Sequence, residues 1–337
     1  MSSVPSLLTL LLLVFLAPIG ISYAADDSVV VKEWLHKMIK AEHLVSYRGT
    51  FVYRHQDEMV VMNIVRAKSE NGMMEYLTSQ SGEVGEVITN PHYVQYAAPY
   101  NDKPPVSDSS APEHLKPGNG ADKSLHDRIE EIGLNYQLSL AETSRIAGRI
   151  CQKLIITPRD EHRYGYNMWL DQGSGVLLKS EHLATDGDVL EQMIYSNIEF
   201  FGKKIPEDVR LILAENSIEM APDMIGSSKQ GVMSHSAHNW VVNYIPSGFE
   251  VASYQHSADP EQFVFEHIVF SDGLAAISVF IEKQDEDGPF NGVSQRGAMN
   301  AYLAEIEQYQ LVVVGEVPLG TLELIGKSVR HASASIH

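Results

Sequence analysis

Cysteine is nearly absent from the chain: Cys151 is the only one among 337 residues. A lone cysteine cannot form an intramolecular disulfide, so the folded chain must be stabilised by the packing of an apolar core. A chain of this length can bury such a core and usually divides into two domains. The apolar neighbours Ile150, Leu154 and Ile156 indicate that Cys151 is a small buried hydrophobic residue and not a reactive thiol.

The common motifs of catalytic and metal sites are also missing. The sequence has no Gly-x-Ser-x-Gly elbow, no His-Glu-x-x-His helix, no phosphate-binding loop and no paired-cysteine site. His235 and His238 are spaced like two metal ligands on a helix, but no third ligand lies near them in the sequence. Asp285, Asp287 and Gly288 resemble part of a calcium loop that lacks its terminal glutamate. These absences argue against catalysis without excluding it, and we expect no cofactor and no metal ion.

Basic residues are scarce relative to acidic ones. The chain has 25 Lys and Arg against 44 Asp and Glu, which gives a formal net charge of -19. No stretch gathers Lys and Arg into a patch, and an acidic chain repels phosphate backbones and anionic membrane surfaces. This charge argues against nucleic-acid binding and favours a basic partner segment.

Long apolar runs are absent except near the amino terminus. The run from Leu7 to Leu16 is too short to cross about 30 Å of hydrocarbon. Pro18, Gly20 and the small-residue sequence Ser22–Ala25 follow it, which is typical of a processing site. Although no Lys or Arg precedes the run, residues 1–25 are predicted to be a cleavable export signal, and the mature protein is expected outside the cytoplasm.

Residues 26–201 combine helical and strand periodicities. Apolar residues at steps of three and four predict helices over Ser28–Tyr47 and Ser124–Ile132. Alternation with a period of two predicts strands at 47–53, 59–65, 73–78, 83–89, 93–97, 136–140, 150–157, 164–170, 176–182 and 190–200. We expect a large, strongly curved antiparallel sheet whose strands pair in sequence order, with the helices packed on it.

Two segments interrupt these patterns. Residues 99–121 are rich in Pro, Ser, Asp and Gly, which indicates a long loop that is functional or mobile. Residues 202–231 have little periodic structure and are predicted to be a linker. Residues 232–337 follow as a smaller α+β domain. Its predicted strands lie at 240–245, 249–254, 263–270, 274–282, 302–306 and 311–317, before a closing helix at 321–330.

A curved sheet has a concave face, and the alternation suggests which side chains line it. The candidates are Phe51, Tyr53, Met62, Ile64, Tyr76 and Met168. If these side chains fill the space, they are ordinary core. If the sheet stays open, they form an acyl-chain cleft, and the 12 Met residues of the chain suit a ligand with many conformations.

Several segments closely resemble the RseB/MucB family. They are Tyr47–Tyr53, Trp240–Phe249, Ser271–Ala275 with Ser278–Glu282 after it, and Val314–Pro318. The resemblance extends in the same order over essentially the whole chain after the export signal. The members of this family are periplasmic negative regulators of the sigma-E envelope stress response.

The resemblance implies a two-domain periplasmic protein that is not an enzyme. Its first domain would look like the open half-barrel of the lipoprotein carriers LolA and LolB. Its second would contact the periplasmic region of a membrane-spanning anti-sigma factor of the RseA/MucA type and shield it from its first cleavage. Lipid or lipopolysaccharide would enter the first domain and release the complex. In this scheme we expect the loop at 99–121 to act as a gate.

The sequence suggests only a few candidate residues for binding a partner. The turn Ser271-Asp272-Gly273 and the segment 293–297, with Arg296, are expected to be exposed in the second domain, although hairpin geometry alone also explains the Asp-Gly pair. Two other function classes stay open, a plain lipid or lipoprotein carrier and a secreted hydrolase with an unrecognised site. The identity of the lipid and the formation of a homo-oligomer are also left open.

Overall fold

The computed structural model describes residues 27–55, 57–69, 72–81, 86–90, 93–97, 125–202, 204–215, 240–256, 265–283 and 290–332. Several sequence predictions lie outside the described residues: the export signal at 1–25, the loop at 99–121, the linker residues from 216 onward, the histidine pair, and the fragment resembling a calcium loop.

The larger part of the fold is an open antiparallel sheet of ten strands. The strands are β1 (Ser46–His55), β2 (Glu58–Ser69), β3 (Gly72–Ser79), β4 (Glu86–Asn90), β5 (Tyr93–Ala97), β6 (Tyr136–Ile146), β7 (Arg149–Pro158), β8 (Gly165–Asp171), β9 (Leu177–Leu183) and β10 (Val189–Phe201). Their spatial order is β5-β4-β3-β2-β1-β10-β9-β8-β7-β6. The predicted pairing in sequence order is therefore confirmed within each half of the sheet.

The prediction that all strands pair in sequence order is wrong between β5 and β6. β5 and β6 do not pair but occupy the opposite edges of the sheet, which leaves it open. The halves are joined instead by β1 and β10, in a register that places Tyr47 opposite Phe200 and His55 opposite Glu191. A β-bulge between Thr50 and Phe51 interrupts this seam.

Two helices pack on one side of the sheet near β6, as the amphipathic spacing predicts. They are α1 (Asp27–Leu44) and α2 (Leu125–Asn135). Val31 and Leu35 of α1 and Ile129 of α2 are almost completely buried. They pack with Leu154 and Ile156 of β7 in one apolar cluster. Burial of these side chains fixes both helices on the sheet.

A third helix corrects the predicted linker. Residues 207–215, which the sequence analysis assigned to the linker, form α3 (Glu207–Glu215). Val209 and Leu213 of α3 are buried against Ala67 and Met74 of β2 and β3. This segment is therefore part of the packing of the first sheet.

The second unit contains a six-stranded antiparallel sheet in the order β12-β13-β14-β17-β16-β15. Its strands are β12 (Glu250–His256), β13 (Phe265–Ser271), β14 (Ala276–Lys283), β15 (Gly292–Arg296), β16 (Met299–Ile306) and β17 (Tyr309–Gly315). A small pair, β11 (Trp240–Val242) and β18 (Val329–His331), and helix α4 (Leu319–Ser328) complete it. The predicted strand at 302–306 is confirmed as part of β16, whereas the short exposed strand β15 has no apolar alternation and was not predicted.

The core of this unit lies between its six-stranded sheet and α4. Ile277, Val279 and Ile281 of β14 pack with Leu322 and Ile325 of α4, and all five are at most 1% exposed. Among the residues that the structure describes, no helix has the length and apolar character needed to cross a membrane.

Candidate functional site

Four of the six predicted cleft residues lie together on one face of the neighbouring strands β1 and β2. Phe51 is opposite Met62 in the β1–β2 ladder, and Ile64 is opposite Gly49. Because side chains alternate along a strand, Phe51, Tyr53, Met62 and Ile64 project from the same face. Cross-strand neighbours extend the set. We call it the apolar strip: Phe51, Tyr53, Met62, Ile64, Leu77, Met193 and Tyr195.

The other two cleft candidates have different surroundings. Tyr76 is opposite Val65, on the other face of the sheet, where it packs beside α3, so its assignment to the cleft is wrong. Met168 lies on the same face as the strip, but three strands from β1. It is 8% exposed and packs in the cluster that α1 and α2 form with the sheet. Met168 is therefore ordinary core.

The strip itself is only partly covered. Ile64 and Tyr195 are buried, each at 5% exposure, while Phe51, Tyr53 and Met62 are half-buried. Phe51 and Tyr195 pack with their ring centroids 5.4 Å apart. The partial exposure leaves apolar surface along the strip that a ligand could cover, and the lipid-binding role of these residues stays a prediction.

Two pockets in the described part of the chain combine polar and apolar lining residues. One, of about 530 Å³, lies between α1, α2 and β6. It is lined by Ser28, Lys32, Gly133, Tyr136, Gln137, Leu138, Ser139 and Arg159. The other, of about 400 Å³, is lined by Arg48, Gly49, Thr50, Asn63, Ile64, Val65, Asn197 and Glu199. Ile64 is the only member of the apolar strip in either lining, so neither pocket is the predicted acyl-chain cleft.

A buried ion pair joins the two units. Arg163, in the loop between β7 and β8, is 0% exposed, and its Nη1 lies 3.2 Å from Oδ2 of Asp272 in the second unit. A second side-chain nitrogen of Arg163, Nε, lies 3.2 Å from Oδ1 of Asp160. Its Nη2 donates to the carbonyl of Ser247. Removing two charges from water is costly, and the two carboxylates and the carbonyl around Arg163 offset part of that cost.

Aromatic rings and amides complete the surroundings of this pair. The guanidinium of Arg163 lies 5.6 Å from the ring centroid of Tyr136 and 4.8 Å from that of Phe249. The Tyr136 hydroxyl donates to Asp272 Oδ2 at 2.8 Å, while Oδ1 accepts from the backbone amides of Leu274 and Ala275. Burial, with the nearby Tyr166 and Asp272, raises the pKa of Tyr136 far above its ordinary value, so the hydroxyl keeps its proton.

These contacts correct the expected exposure of the turn at 271–273. Asp272 is 2% exposed, and Ser271 and Gly273 are half-buried, because the turn packs against the first unit. The Asp-Gly pair does form a turn between β13 and β14, as the sequence predicts. The expectation of an exposed turn is wrong, and its partner-binding role stays a prediction.

A second contact between the units centres on Glu191 of β10. Its Oε1 accepts a 2.8 Å hydrogen bond from the backbone amide of Ala298, in the turn between β15 and β16. Its Oε2 lies 3.4 Å from Nδ1 of His182. Tyr53 of the apolar strip is its diagonal neighbour across the β1–β10 ladder, on the same face of the sheet. Burial alone would raise the pKa of Glu191, but the hydrogen bonds of His182, Ala298 and Tyr53 outweigh it and lower the pKa.

Arg296, the fourth partner-binding candidate, lies beside this contact. Its side chain is 76% exposed, as the sequence analysis expects. Its Nε donates to His55 Nε2 at 3.2 Å, and its Nη2 is 3.7 Å from Glu58 Oε2. Arg296 therefore joins the end of β15 to the β1–β2 hairpin, and its role towards a partner stays a prediction.

Cys151 provides a simple check of the packing. It is 0% exposed, and burial together with the nearby Asp171 raises the pKa of its thiol to about 11. Because the thiolate is the reactive form, we expect the native protein to resist a thiol reagent at neutral pH and to react fully in denaturant. A mass-spectrometric time course with iodoacetamide measures this, and rapid native labelling would contradict the buried position.

Within the ranges that the structure describes, no group of three or more His, Cys, Asp or Glu side chains is placed to hold a metal ion. The features that remain are the half-buried apolar strip and the polar contacts between the units. Sequence reasoning did not identify Arg163 or Glu191, because neither belongs to a motif and their partners come from distant parts of the chain.

Both units have relatives of known family. Residues 30–214 match the MucB/RseB N-terminal domain, and residues 234–330 match the MucB/RseB C-terminal domain. The sigma factor AlgU regulatory protein MucB of Pseudomonas aeruginosa is 30% identical over 338 residues, which cover 97% of this chain and 98% of that protein. The sigma-E factor regulatory protein RseB of Haemophilus influenzae is 23% identical, over 92% of this chain and 94% of that protein.

Solved structures are similar over the same extent. A crystal structure of MucB in complex with MucA(peri) matches with a TM-score of 0.62 and 26% identity, over 89% of this chain and 98% of that one. The complex structure of Pseudomonas aeruginosa MucA/MucB matches with a TM-score of 0.61 and 25% identity, over 90% of this chain and 99% of that one. The similarity therefore includes both the first and the second unit.

Proposed function

Since the chain belongs to the MucB/RseB family, we propose that it binds the periplasmic segment of a membrane anti-sigma factor of the RseA/MucA type. By covering that segment it would block the first proteolytic cleavage and so repress a sigma-E-type envelope stress response. The observation that carries this proposal is the match to MucB solved in complex with MucA(peri), which extends over both units of the chain.

The proposed location and domain organisation follow from the same function. Residues 1–25 would direct export to the periplasm and be removed. Residues 26–201 would form the lipid-sensing domain, extended by α3, and residues 232–337 the domain that contacts the anti-sigma factor. The acidic net charge of -19 supports a basic partner segment, because opposite charge speeds encounter.

The proposed release signal is a lipid or lipopolysaccharide acyl chain on the apolar strip. A ligand can release a partner only if it binds the partner-free conformation more tightly, and the partner must then weaken ligand binding equally. Each buried CH₂ contributes about 0.8 kcal/mol, so a few methylenes supply the roughly 1 to 3 kcal/mol typical of such coupling. The half-buried Phe51, Tyr53 and Met62 offer apolar surface for this contact.

A protection assay tests the proposal. The chain from residue 26 is mixed with the periplasmic segment of the anti-sigma factor of the same organism, and cleavage by its DegS-type protease is followed over time. We expect the segment to be retained in a pull-down and its cleavage to be slowed. Addition of lysophosphatidylglycerol, which carries one acyl chain, is expected to restore cleavage.

The alternative functions give different outcomes. A plain lipid or lipoprotein carrier would bind lysophosphatidylglycerol but neither retain the anti-sigma segment nor slow its cleavage. If the segment is fully protected and no acyl-chain ligand restores cleavage, the regulatory function stands and lipid release is removed from the proposal.

A further inference from the structure

We infer that Glu191 is the positioning residue through which a ligand on the apolar strip changes the contact between the two domains. This inference rests on the proposed function, in which lipid releases the anti-sigma segment, and it assigns that release to one carboxylate. Glu191 lies beside Tyr53 of the apolar strip, on the same face of the β1–β10 ladder, and bonds to the second domain through the Ala298 amide.

Three elements converge on the Glu191 carboxylate. Tyr53 belongs to β1, His182 belongs to β9, and Ala298 belongs to the turn that leads into β16. Hydrogen bonds to a charged acceptor are about twice as strong as those between neutral groups. The second domain is thus held at this point by a charge whose position depends on the strip.

The turn that receives the carboxylate tolerates little displacement. Gly297 has a φ of 61°, and a Cβ atom at this position would lie 2.0 Å from Glu191 Oε1. The backbone of the turn therefore lies directly against the carboxylate, at a distance that no other residue type allows. A shift of Glu191 must either break the bond to Ala298 or move the turn.

An acyl chain on the strip would produce such a shift. Tyr53 is half-buried beside Met193 and Val60, so a chain lying along the strip would contact its ring and move its hydroxyl. The carboxylate then loses one of its hydrogen bonds and turns towards water, which leaves the Ala298 amide without its acceptor. The coupling also acts in the opposite direction. When the second domain is held tightly at Ala298, Tyr53 stays in place and ligand binding to the strip is disfavoured.

Glu191→Gln tests the inference, because it keeps the shape of the side chain and removes its charge. The matched control is Glu199→Gln on the same strand. Glu199 is also ion-paired, at 2.7 Å from Arg48, but it lies on the face of the sheet away from the apolar strip. Spin labels at Thr185→Cys in the first domain and Gln308→Cys in the second report the separation of the domains. Both positions are exposed, and Cys151 is buried away from the labelling reagent.

In the unsubstituted background, lysophosphatidylglycerol is expected to change the label separation and to weaken anti-sigma binding by about 5-fold to 150-fold. In Glu191→Gln the separation should already match the ligand-bound value, and added ligand should change affinity by less than about 2-fold. Glu199→Gln should respond like the unsubstituted protein. Hydrogen exchange at the Ala298 amide, read without any substitution at Glu191, should speed up when the ligand is added.

The failures can be told apart. If the ligand weakens anti-sigma binding equally in Glu191→Gln and in the unsubstituted protein, the inference is overturned and the proposed function stands. The same holds if release occurs with no change in label separation or in Ala298 exchange. If the ligand neither binds nor affects anti-sigma binding, lipid release and the inference fall together, while the pull-down still decides partner binding.

Discussion

Replacing Arg163 with alanine is expected to lower the free energy of unfolding by about 3 to 5 kcal/mol, the usual result of removing one partner from a buried ion pair. The change leaves the carboxylate of Asp272, whose side chain is 0% exposed, without its cation. It also removes the cation that lies over the rings of Tyr136 and Phe249. Urea unfolding followed by circular dichroism measures the loss.

The partner and a control sharpen this experiment. Asp272→Ala is expected to lower the free energy of unfolding by a similar amount. The double variant should lose less than the sum of the two, because each single substitution leaves a buried charge without its partner. Arg159→Ala is the matched control. Arg159 is exposed and four residues earlier in the same chain segment, so its loss is expected to change stability by less than about 0.5 kcal/mol. A loss below about 1 kcal/mol in Arg163→Ala would contradict the importance assigned to the pair.

Gly49→Val is expected to destabilise the first domain by about 3 kcal/mol by overpacking the seam between β1 and β10. A Cβ atom on Gly49 would lie 2.8 Å from the carbonyl oxygen of Asn197 and 2.9 Å from the ring of Tyr195. The oxygen belongs to the backbone of β10 and cannot move without disturbing the ladder. Thermal unfolding monitored by circular dichroism gives the measurement.

Gly202→Ala is the corresponding control, because nothing lies within 4 Å of the Cβ atom that it adds. It is expected to leave the midpoint of unfolding nearly unchanged. If Gly49→Val unfolds at the same temperature as Gly202→Ala, the seam adapts to an added side chain, and the close approach of β1 and β10 does not limit stability.

Elements with a long, regular pattern were predictable. The three- and four-residue spacing of Val31, Trp34, Leu35 and Met38 identified α1. Period-two alternation identified most strands of the first sheet. Helix α3 was missed because it is short, and the four-residue step from Val209 to Leu213 is a single repeat of its pattern. It forms a helix because Ala67 and Met74 offer it an apolar surface, which a local pattern does not show.

The order in which the strands pair was less predictable than their positions in the sequence. β1 and β10 are far apart in the sequence, and a local pattern carries no information about so distant a pairing. The pairing of β1 with β10 was therefore not predicted. The face of each residue depends on the register of its strand in the same way. Tyr76 was therefore grouped with Phe51, although the β2–β3 register places Tyr76 on the opposite face of the sheet.

The contacts between the units illustrate the same limit. The Asp-Gly pair at 272–273 predicts a turn from local chemistry, and a turn is present. Whether that turn is exposed depends on Arg163 and Tyr136, which come from the other unit. The resemblance to the RseB/MucB family, by contrast, was recognisable from the sequence because it depends on residue identity over the whole chain.

The seam between β1 and β10 also affects how the chain reaches its fold. Hairpins such as β1–β2 and β7–β8 close short loops, whereas pairing Tyr47 with Phe200 must close a loop nearly as long as the sheet-forming region. Each doubling of loop length costs about 0.6 kcal/mol of entropy, so the hairpins are expected to form first. During synthesis, β1 therefore has one unpaired edge until residues 189–201 emerge, and this late pairing is expected to limit the folding rate of the domain.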